Sequence, residues 1–314
     1  MATIGITGGT GMIGTALTKM LLDQKHRVII ATRTPNKKSI HPNLNYTYWD
    51  PEKKIMDPAF LTETDTIFHL AGAGVADQRW TAARKKELSE SRVQSSNLLV
   101  QSLKQHPHRV KTLIAASAIG WYGQDVDQHT AFTEDAPADD SFLGELCRLW
   151  EASIDPVLEL PIRLVKIRIG IVLSTAGGAL PELMNPLKFG IAAIPGSGSQ
   201  IISWIHVDDL CRLFLYAMER EQVHGVYNGV APSPTAMKTL IIQMAQQKKG
   251  KAFIPIAVPE FLLKMVLGEM SIEILKSTRV SCEKIKNEQF QFLFPSIESA
   301  LQNLLPSKKS KAIP

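Results

Sequence analysis

Ala2-Thr3-Ile4-Gly5-Ile6-Thr7-Gly8-Gly9-Thr10-Gly11-Met12-Ile13-Gly14 is the stretch that decides the fold. A short β-prone run meets glycines spaced G-x-x-G-x-x-G at Gly8, Gly11 and Gly14, and a helical pattern follows through Ile13, Leu17, Met20 and Leu21. The order is strand, tight turn, helix. One glycine turns the chain out of the strand, one lets backbone approach a pyrophosphate without a Cβ in the way, and one lets the helix pack closely on the sheet. The helix start then offers free N–H groups and a partial positive charge to phosphate oxygens. Nucleotide binding is the reading that this context supports.

Composition sets the bounds. With 314 residues the chain can bury a proper core, and 45% hydrophobic with 21% charged residues is the make-up of a folded globular protein. A net charge of +5 is spread along the chain, apart from a basic tail at Lys308, Lys309 and Lys311, and no basic stripe with interleaved aromatics argues for nucleic acid. Cys147, Cys211 and Cys282 are far apart and lack metal spacing, so buried free thiols in a reducing compartment are expected. No secretory leader precedes the glycine turn and no apolar run is long enough to cross a bilayer, which directs the expectation to the cytoplasm, without a membrane partner.

Arg27 to Thr32 reads as a buried parallel strand that ends at Arg33. About twenty residues beyond such glycines a carboxylate would accept the ribose hydroxyls of NAD, whereas an arginine pairs with a 2′-phosphate. Arg33, with Thr32 before it and Lys37 and Lys38 nearby, therefore points to NADP(H). Further strands are expected at Tyr46–Trp49, Asp65–Leu70, Val110–Ala116 and Ile162–Gly170, with a long helix from Thr81 to about Gln105 and another from Phe142 to about Glu159, ending or bending near Pro156. The fold class is α/β: a Rossmann-type doubly wound parallel sheet with a smaller, mostly helical C-terminal cap. The boundaries expected are 1–231 for the nucleotide domain, with 171–204 contributing to a substrate cleft, 232–305 for the cap and 306–314 for a flexible tail. Small residues at Ala71-Gly72-Ala73-Gly74, straight after the strand, let a cofactor lie across the sheet edge, and His69 reads as a packed histidine. Asp208 or Asp209 reads as a helix N-cap, and Arg79 and Trp80 as a loop anchor or the wall of a cleft.

These residues resemble the extended short-chain dehydrogenase/reductases, the NAD-dependent epimerase/dehydratases. Thr7-Gly8-Gly9-Thr10-Gly11-Met12-Ile13-Gly14 is similar to the T-G-x-x-G-x-x-G turn of that family, His69-Leu70-Ala71-Gly72 to its H-L-A-A segment, Ser117 to Gly123 to the segment with the active-site serine, Arg168-Ile169-Gly170-Ile171-Val172 to R-x-G-x-V, and His206 to Asp209 to H-V-D-D. Arg79-Trp80-Thr81, Ser91-Arg92-Val93, Phe142 to Cys147, Trp150-Glu151-Ala152, Ser203 to His206, Tyr227 to Pro232 and Phe290 to Pro295 resemble the atypical "epimerase family protein" branch, which has its own C-terminal domain. The resemblance implies cofactor contacts from Thr7, Gly8, Gly11, Met12, Ile13, Gly14, Thr32, Arg33, Leu70, Ala71, Gly72, Glu87, Arg92, Ser117, Arg168 and Val172. It gives Arg92 the phosphate or adenine end.

The departure from the wider family lies at its Tyr-x-x-x-Lys acid/base pair. Aligned on Glu151, those positions hold Leu143 and Cys147, neither of which supplies a phenol beside an ammonium. The expected catalytic residues are thus Ser117, to polarise an oxygen, and Tyr122, as a substitute phenol. Three functions stand open: an NADP(H)-dependent oxidoreductase for an unidentified small carbonyl or alcohol substrate, a non-catalytic NADP(H)-binding sensor or scaffold, and a nucleotide-sugar epimerase. A monomer or homodimer without a bound metal is expected in each case.

Overall fold

The computed structural model describes residues 1–35, 39, 41–125, 127 and 130–306; Lys37, Lys38 and the tail lysines Lys308, Lys309 and Lys311 lie outside the described residues. The first half runs β1 (Thr3–Thr7), α1 (Met12–Asp23), β2 (Arg27–Thr32), β3 (Leu44–Asp50), β4 (Ile55–Met56), α2 (Ala59–Glu63), β5 (Thr66–His69), α3 (Ala82–Gln105), β6 (Thr112–Ala118), α4 (Phe142–Ile154) and β7 (Arg163–Ile169). Then come β8 (Ile171–Leu173), α5 (Ala179–Met184), β9 (Ile191–Pro195), β10 (Ile201–Ile202), β11 (Trp204–His206), α6 (Val207–Glu219) and β12 (Gly225–Gly229). The remainder holds β13 (Thr235–Ala236), α7 (Met237–Lys249), β14 (Ile254–Val258), α8 (Glu260–Leu267), α9 (Met270–Leu275), α10 (Glu283–Asn287) and α11 (Ile297–Leu304).

The main sheet has the order β12-β7-β6-β5-β1-β2-β3-β4. All its pairings are parallel except β3 with β4. This is the doubly wound sheet expected from the sequence. Alternate residues of each strand serve two cores: Ile4, Ile6, Val28, Ile30 and Phe68 pack with Leu17, Leu210 and Phe214 on one face, while Ile29, Ile67 and Leu113 pack with Leu99 and Leu103 on the other. Burial on both faces explains why the strands read as continuous β-branched runs. The chain winds outward from β1 through β2 and β3, then returns to lay β5, β6 and β7 on the opposite side. The strand order therefore reverses between β1 and β5, the place where such sheets hold ligands beyond the strands' carboxyl ends.

Several elements differ from expectation. The two-residue β4 has too few residues to show a period; α4, by contrast, ends near Pro156 as expected, stopping at Ile154 with Asp155–Glu159 continuing as a 3₁₀ turn where the Pro156 ring removes a donor. Neither Asp208 nor Asp209 caps α6: the His206 Nδ1 accepts the Asp208 N–H at 3.0 Å, and the fully buried Asp209 carboxylate accepts the Leu293 and Phe294 N–H groups, each at 2.8 Å. Asp209 thus fastens the C-terminal segment to the nucleotide-side helix. Downstream of 232, β14 pairs with β9, while Val280, Cys282, Ile285 and Phe290 join the core that contains Ile4 and Leu17. All three cysteines are free and buried, and among the described residues no helix is long and apolar enough to cross a membrane.

Candidate functional site

The glycine turn forms a cradle with no room for side chains. Gly8 has φ +71°, and a Cβ there would lie 2.7 Å from the Leu70 carbonyl carbon and oxygen at the end of β5. A Cβ on Gly14 would stand 2.4 Å from the Gly8 carbonyl oxygen and 2.6 Å from the Gly9 Cα. Gly11 is the N-cap of α1, and its N–H donates to the Gly8 carbonyl at 3.1 Å. No side chain caps this helix, so the amides at Met12, Ile13 and Gly14 open the first turn without an intrahelical acceptor. Met12 itself packs toward the Gly177–Gly178 loop, and Ile13 leans on the core. Thr7 turns inward rather than toward a ligand: its Oγ1 is 2.7 Å from the His69 Nδ1, whose Nε2 faces the Ser96 Oγ at 3.1 Å. Burial lowers the His69 pKa to about 4, so this ring is a neutral spacer between β1, β5 and α3.

At the end of β2 the Thr32 Oγ1 accepts the Thr34 N–H. The Arg33 side chain is 69% exposed, and its ion pair is a loose one of 3.7 Å to the equally exposed Glu52. Such a pair is screened and weak, which leaves the guanidinium free to turn to a stronger acceptor. Glu87 is engaged with Arg84 at 2.7 Å on the same helix face. Trp80 is buried, with its indole N–H donated to the Val75 carbonyl and its ring edge-on to Phe142, which makes it an anchor rather than a cleft wall. Arg79 lies against Gly268, and Lys85 pairs with Glu269, so the 79–85 segment is clasped by the C-terminal residues.

At the carboxyl ends of β6 and β7 a buried polar network engages three of the residues expected at the site. The Arg168 guanidinium spans Glu151, with Nε to Oε1 at 2.8 Å and Nη2 to Oε2 at 3.1 Å, and it stacks 3.7 Å from the Trp121 ring centroid. Burial works against its charge, yet the bonds to Glu151 outweigh this and hold its pKa above the ordinary value. At 3% exposure Arg168 is held inside the protein by these bonds. Ser117 donates its hydroxyl to the Glu151 Oε1 at 2.7 Å and has no proton left to polarise a carbonyl. Tyr122 is fully buried, donates to the Asn228 Oδ1 at 2.7 Å, accepts from the Arg168 Nη1 at 3.0 Å and stacks on Phe132. Burial raises its pKa, and these contacts make it a packed link in the network. Val172 sits within β8 beside Ile205, half-buried, with its carbonyl and the Met12 side chain both close to Gly178. Tyr122→Phe should lower stability by about 1–2 kcal/mol, the cost of leaving the Asn228 acceptor unpaired, while dinucleotide binding measured by calorimetry stays within twofold. A tenfold loss of binding would return Tyr122 to the site.

The two positions aligned with the missing acid/base pair are apolar in effect. Leu143 packs toward Gly120, and the Cys147 thiol lies toward the Ala118 carbonyl at 3.6 Å, its pKa pushed up to about 12 by burial and by Glu151. A thiol held protonated neither shuttles protons near neutral pH nor carries charge. Glu151 was visible in the sequence as one carboxylate inside the apolar face of Leu146, Cys147, Trp150 and Ile154, and Arg168 as a charge inside a β-branched strand. Two such interruptions were the available signal that they pair.

The chain matches the family model described as the NAD dependent epimerase/dehydratase family over residues 4–141, and that of a domain of unknown function, DUF1731, over residues 258–304. It is 35% identical to Epimerase family protein YfhF of Bacillus subtilis (strain 168), covering 98% of this chain and 99% of the relative. Epimerase family protein SDR39U1 of Mus musculus is 30% identical over 96% of this chain and 98% of its own length. Among solved structures, that of the human epimerase family protein SDR39U1 (isoform 2) with NADPH superposes with a TM-score of 0.84 at 29% identity, covering 96% of this chain and 99% of that one. The uncapped glycine cradle at the strand reversal and these matches along nearly the whole chain lead to one conclusion: this protein belongs to the NAD-dependent epimerase/dehydratase family, in the branch of epimerase family proteins that carry the DUF1731 domain.

Proposed function

We propose that this chain binds NADP(H) across the β1–β5 reversal and acts by binding it, without proton-transfer chemistry of its own. The observation that carries the reading is the cradle itself, in which Gly8 and Gly14 leave backbone amides uncovered and no side chain fills the space. The residues fit a pyrophosphate: a helix start without a capping side chain is an anion site awaiting oxygen acceptors. The loosely held Arg33 selects the 2′-phosphate, and the NADPH in the solved human relative agrees with this choice. The lack of a catalytic function follows from Leu143, the protonated Cys147 and the committed hydroxyls of Ser117 and Tyr122.

Arg33→Asp should weaken NADPH binding by about 2 kcal/mol, roughly thirtyfold, through loss of a charge-assisted contact and added repulsion, and should leave NADH affinity little changed. Calorimetry with both coenzymes checks this; equal affinities of the unaltered protein for NADH and NADPH would remove the basis for the phosphate assignment.

A second reading is an oxidoreductase acting on a small alcohol or carbonyl. It is favoured by Ser117, next to the last residue of β6, whose hydroxyl oxygen keeps acceptor lone pairs that could receive a substrate hydroxyl, the proton then leaving to water. In that alcohol-oxidising direction bound NADP⁺ would accept the hydride as the proton leaves; in the reverse direction bound NADPH would supply the hydride to the carbonyl carbon and water the proton to its oxygen. A carbonyl panel that oxidises NADPH, followed by the absorbance of the reduced nicotinamide, would favour this reading over pure binding. Nucleotide-sugar epimerisation needs a proton carrier beside the hydride acceptor, and Leu143 and Cys147 provide none.

A further inference from the structure

Helix α8 is apolar over most of its surface, yet it buries none of its residues. Phe261, Met265 and Val266 are 67%, 65% and 68% exposed, and none of the helix's side chains joins a core cluster among the described residues. A helix of that make-up belongs inside a protein or under a partner. It is not a loose end: α9 packs against it, Gly268 at its close lies against Arg79, and Glu269 pairs with Lys85 on α3. The elements on either side repeat the pattern. Ile254 and Ile256, two apart and therefore on one face of β14, are exposed, as is Ile272 on α9. Within 254–272 these six side chains offer on the order of 700 Å² of apolar surface, against the roughly 800 Å² per partner that a stable dimer covers.

Two features select what covers this face. β14 turns the backbone of residues 254, 256 and 258 to β9, with the Ile254 N–H donated to the Gly190 carbonyl and the Gly196 N–H to the Val258 carbonyl. Its outer edge is left to Pro255 and Ala257, and Pro255 has no N–H to offer an added strand, so a partner covers side chains and does not extend the sheet. The second feature is the charge on α8. Glu260 in its first turn and Lys264 in its last are exposed, one turn apart on one flank of the apolar stripe, and neither has an ion-pair partner among the described residues. A second α8 laid antiparallel across a two-fold axis sets Lys264 of the partner subunit opposite Glu260, and Glu260 of the partner subunit opposite Lys264, whereas a parallel one sets like charges together. One acid balanced by one base gives no preference for an anionic lipid surface. We propose that two copies of this chain pair through this face, α8 against α8 in antiparallel, with the exposed side chains of β14 and α9 completing the interface.

The test is sedimentation of the full chain over a range of concentrations with no coenzyme present, so that its outcome does not depend on the dinucleotide. The unaltered protein should run at twice the mass of one chain at about 10 μM. Met265→Asp, on the exposed stripe, should raise the dimer dissociation constant at least thirtyfold and leave the circular dichroism spectrum unchanged, since the position lies outside the core. Glu260→Lys and Lys264→Glu should each weaken self-pairing about fivefold, and an equimolar mixture of the two should pair as well as the unaltered protein, because the mixed dimer restores both contacts. These two variants decide the matter if Met265→Asp does not fold. A monomer at about 100 μM, or a dimer that all three variants leave intact, would overturn the proposal. A mixture that pairs no better than its components would overturn the antiparallel arrangement. Capture of the unaltered monomer by phosphatidylserine vesicles, lost in Met265→Asp, would give the face to lipid and overturn the pairing of copies.

Discussion

Gly14→Ala should reduce NADPH affinity at least a hundredfold, about 3 kcal/mol, and should do so without touching any ligand-facing side chain. The added methyl would stand 2.4 Å from the Gly8 carbonyl oxygen and 2.6 Å from the Gly9 Cα. Both are backbone atoms, so relief requires the turn to move away from α1 rather than a side chain to rotate. The turn cannot retreat freely, because Gly8 is already pressed against the Leu70 carbonyl of β5. The amides at the start of α1 would then be displaced from the line of a bound pyrophosphate. Calorimetry with NADPH reads the loss directly, and circular dichroism shows whether the sheet survives. Gly11→Ala is the internal control: a Cβ there meets only the Gly8 oxygen at 3.4 Å, so its own effect should be several times smaller. Equal affinity for NADPH in Gly14→Ala and the unaltered protein would mean that the dinucleotide does not lie on this turn.

Glu151→Leu should destabilise the fold by about 3–5 kcal/mol, the range expected when one member of a buried ion pair is removed and the other is stranded. Arg168 would lose both of its carboxylate bonds at 3% exposure, and Ser117 would lose its acceptor. Lys166, 3.6 Å from Glu151, would keep its 2.6 Å pairing to Asp155 and add little to the cost. The double variant Glu151→Leu with Arg168→Met separates stranded charge from lost packing. Replacing both charges with apolar groups of similar volume should recover most of the stability in urea denaturation. If the double variant is no better than the single one, the network matters through shape and not through compensation of charge.

Much of the fold was legible because its signals are local. The glycine spacing at 8, 11 and 14 sits between a β-branched strand and a helical period, and α3 begins at Ala82 behind a Thr81 cap that accepts the Arg84 N–H. Strand burial on both faces left continuous apolar runs that need no partner to be recognised. What the sequence could not show were pairings between distant residues. Asp209 looked like an N-cap because caps and buried anchors use the same side chain, and only the arrival of Leu293 and Phe294, more than eighty residues later in the chain, distinguishes them. For Ser117 and Tyr122 residue type and position were legible, but their partners were not: Glu151, Arg168 and Asn228 engage the two hydroxyls from distant parts of the chain. Arg92 was visible as a charge on a long helix, while its burial beside the Trp150 ring became apparent only with its surroundings in place.

The lodging of Val280, Cys282, Ile285 and Phe290 among Ile4, Leu17 and Leu210 bears on how the molecule is made. A ribosome delivers β1 long before these four side chains, so the interior around Ile4 has to wait, part-wetted, while the chain between them is made. The nucleotide cradle is thus translated well before the residues that seal the core beneath it.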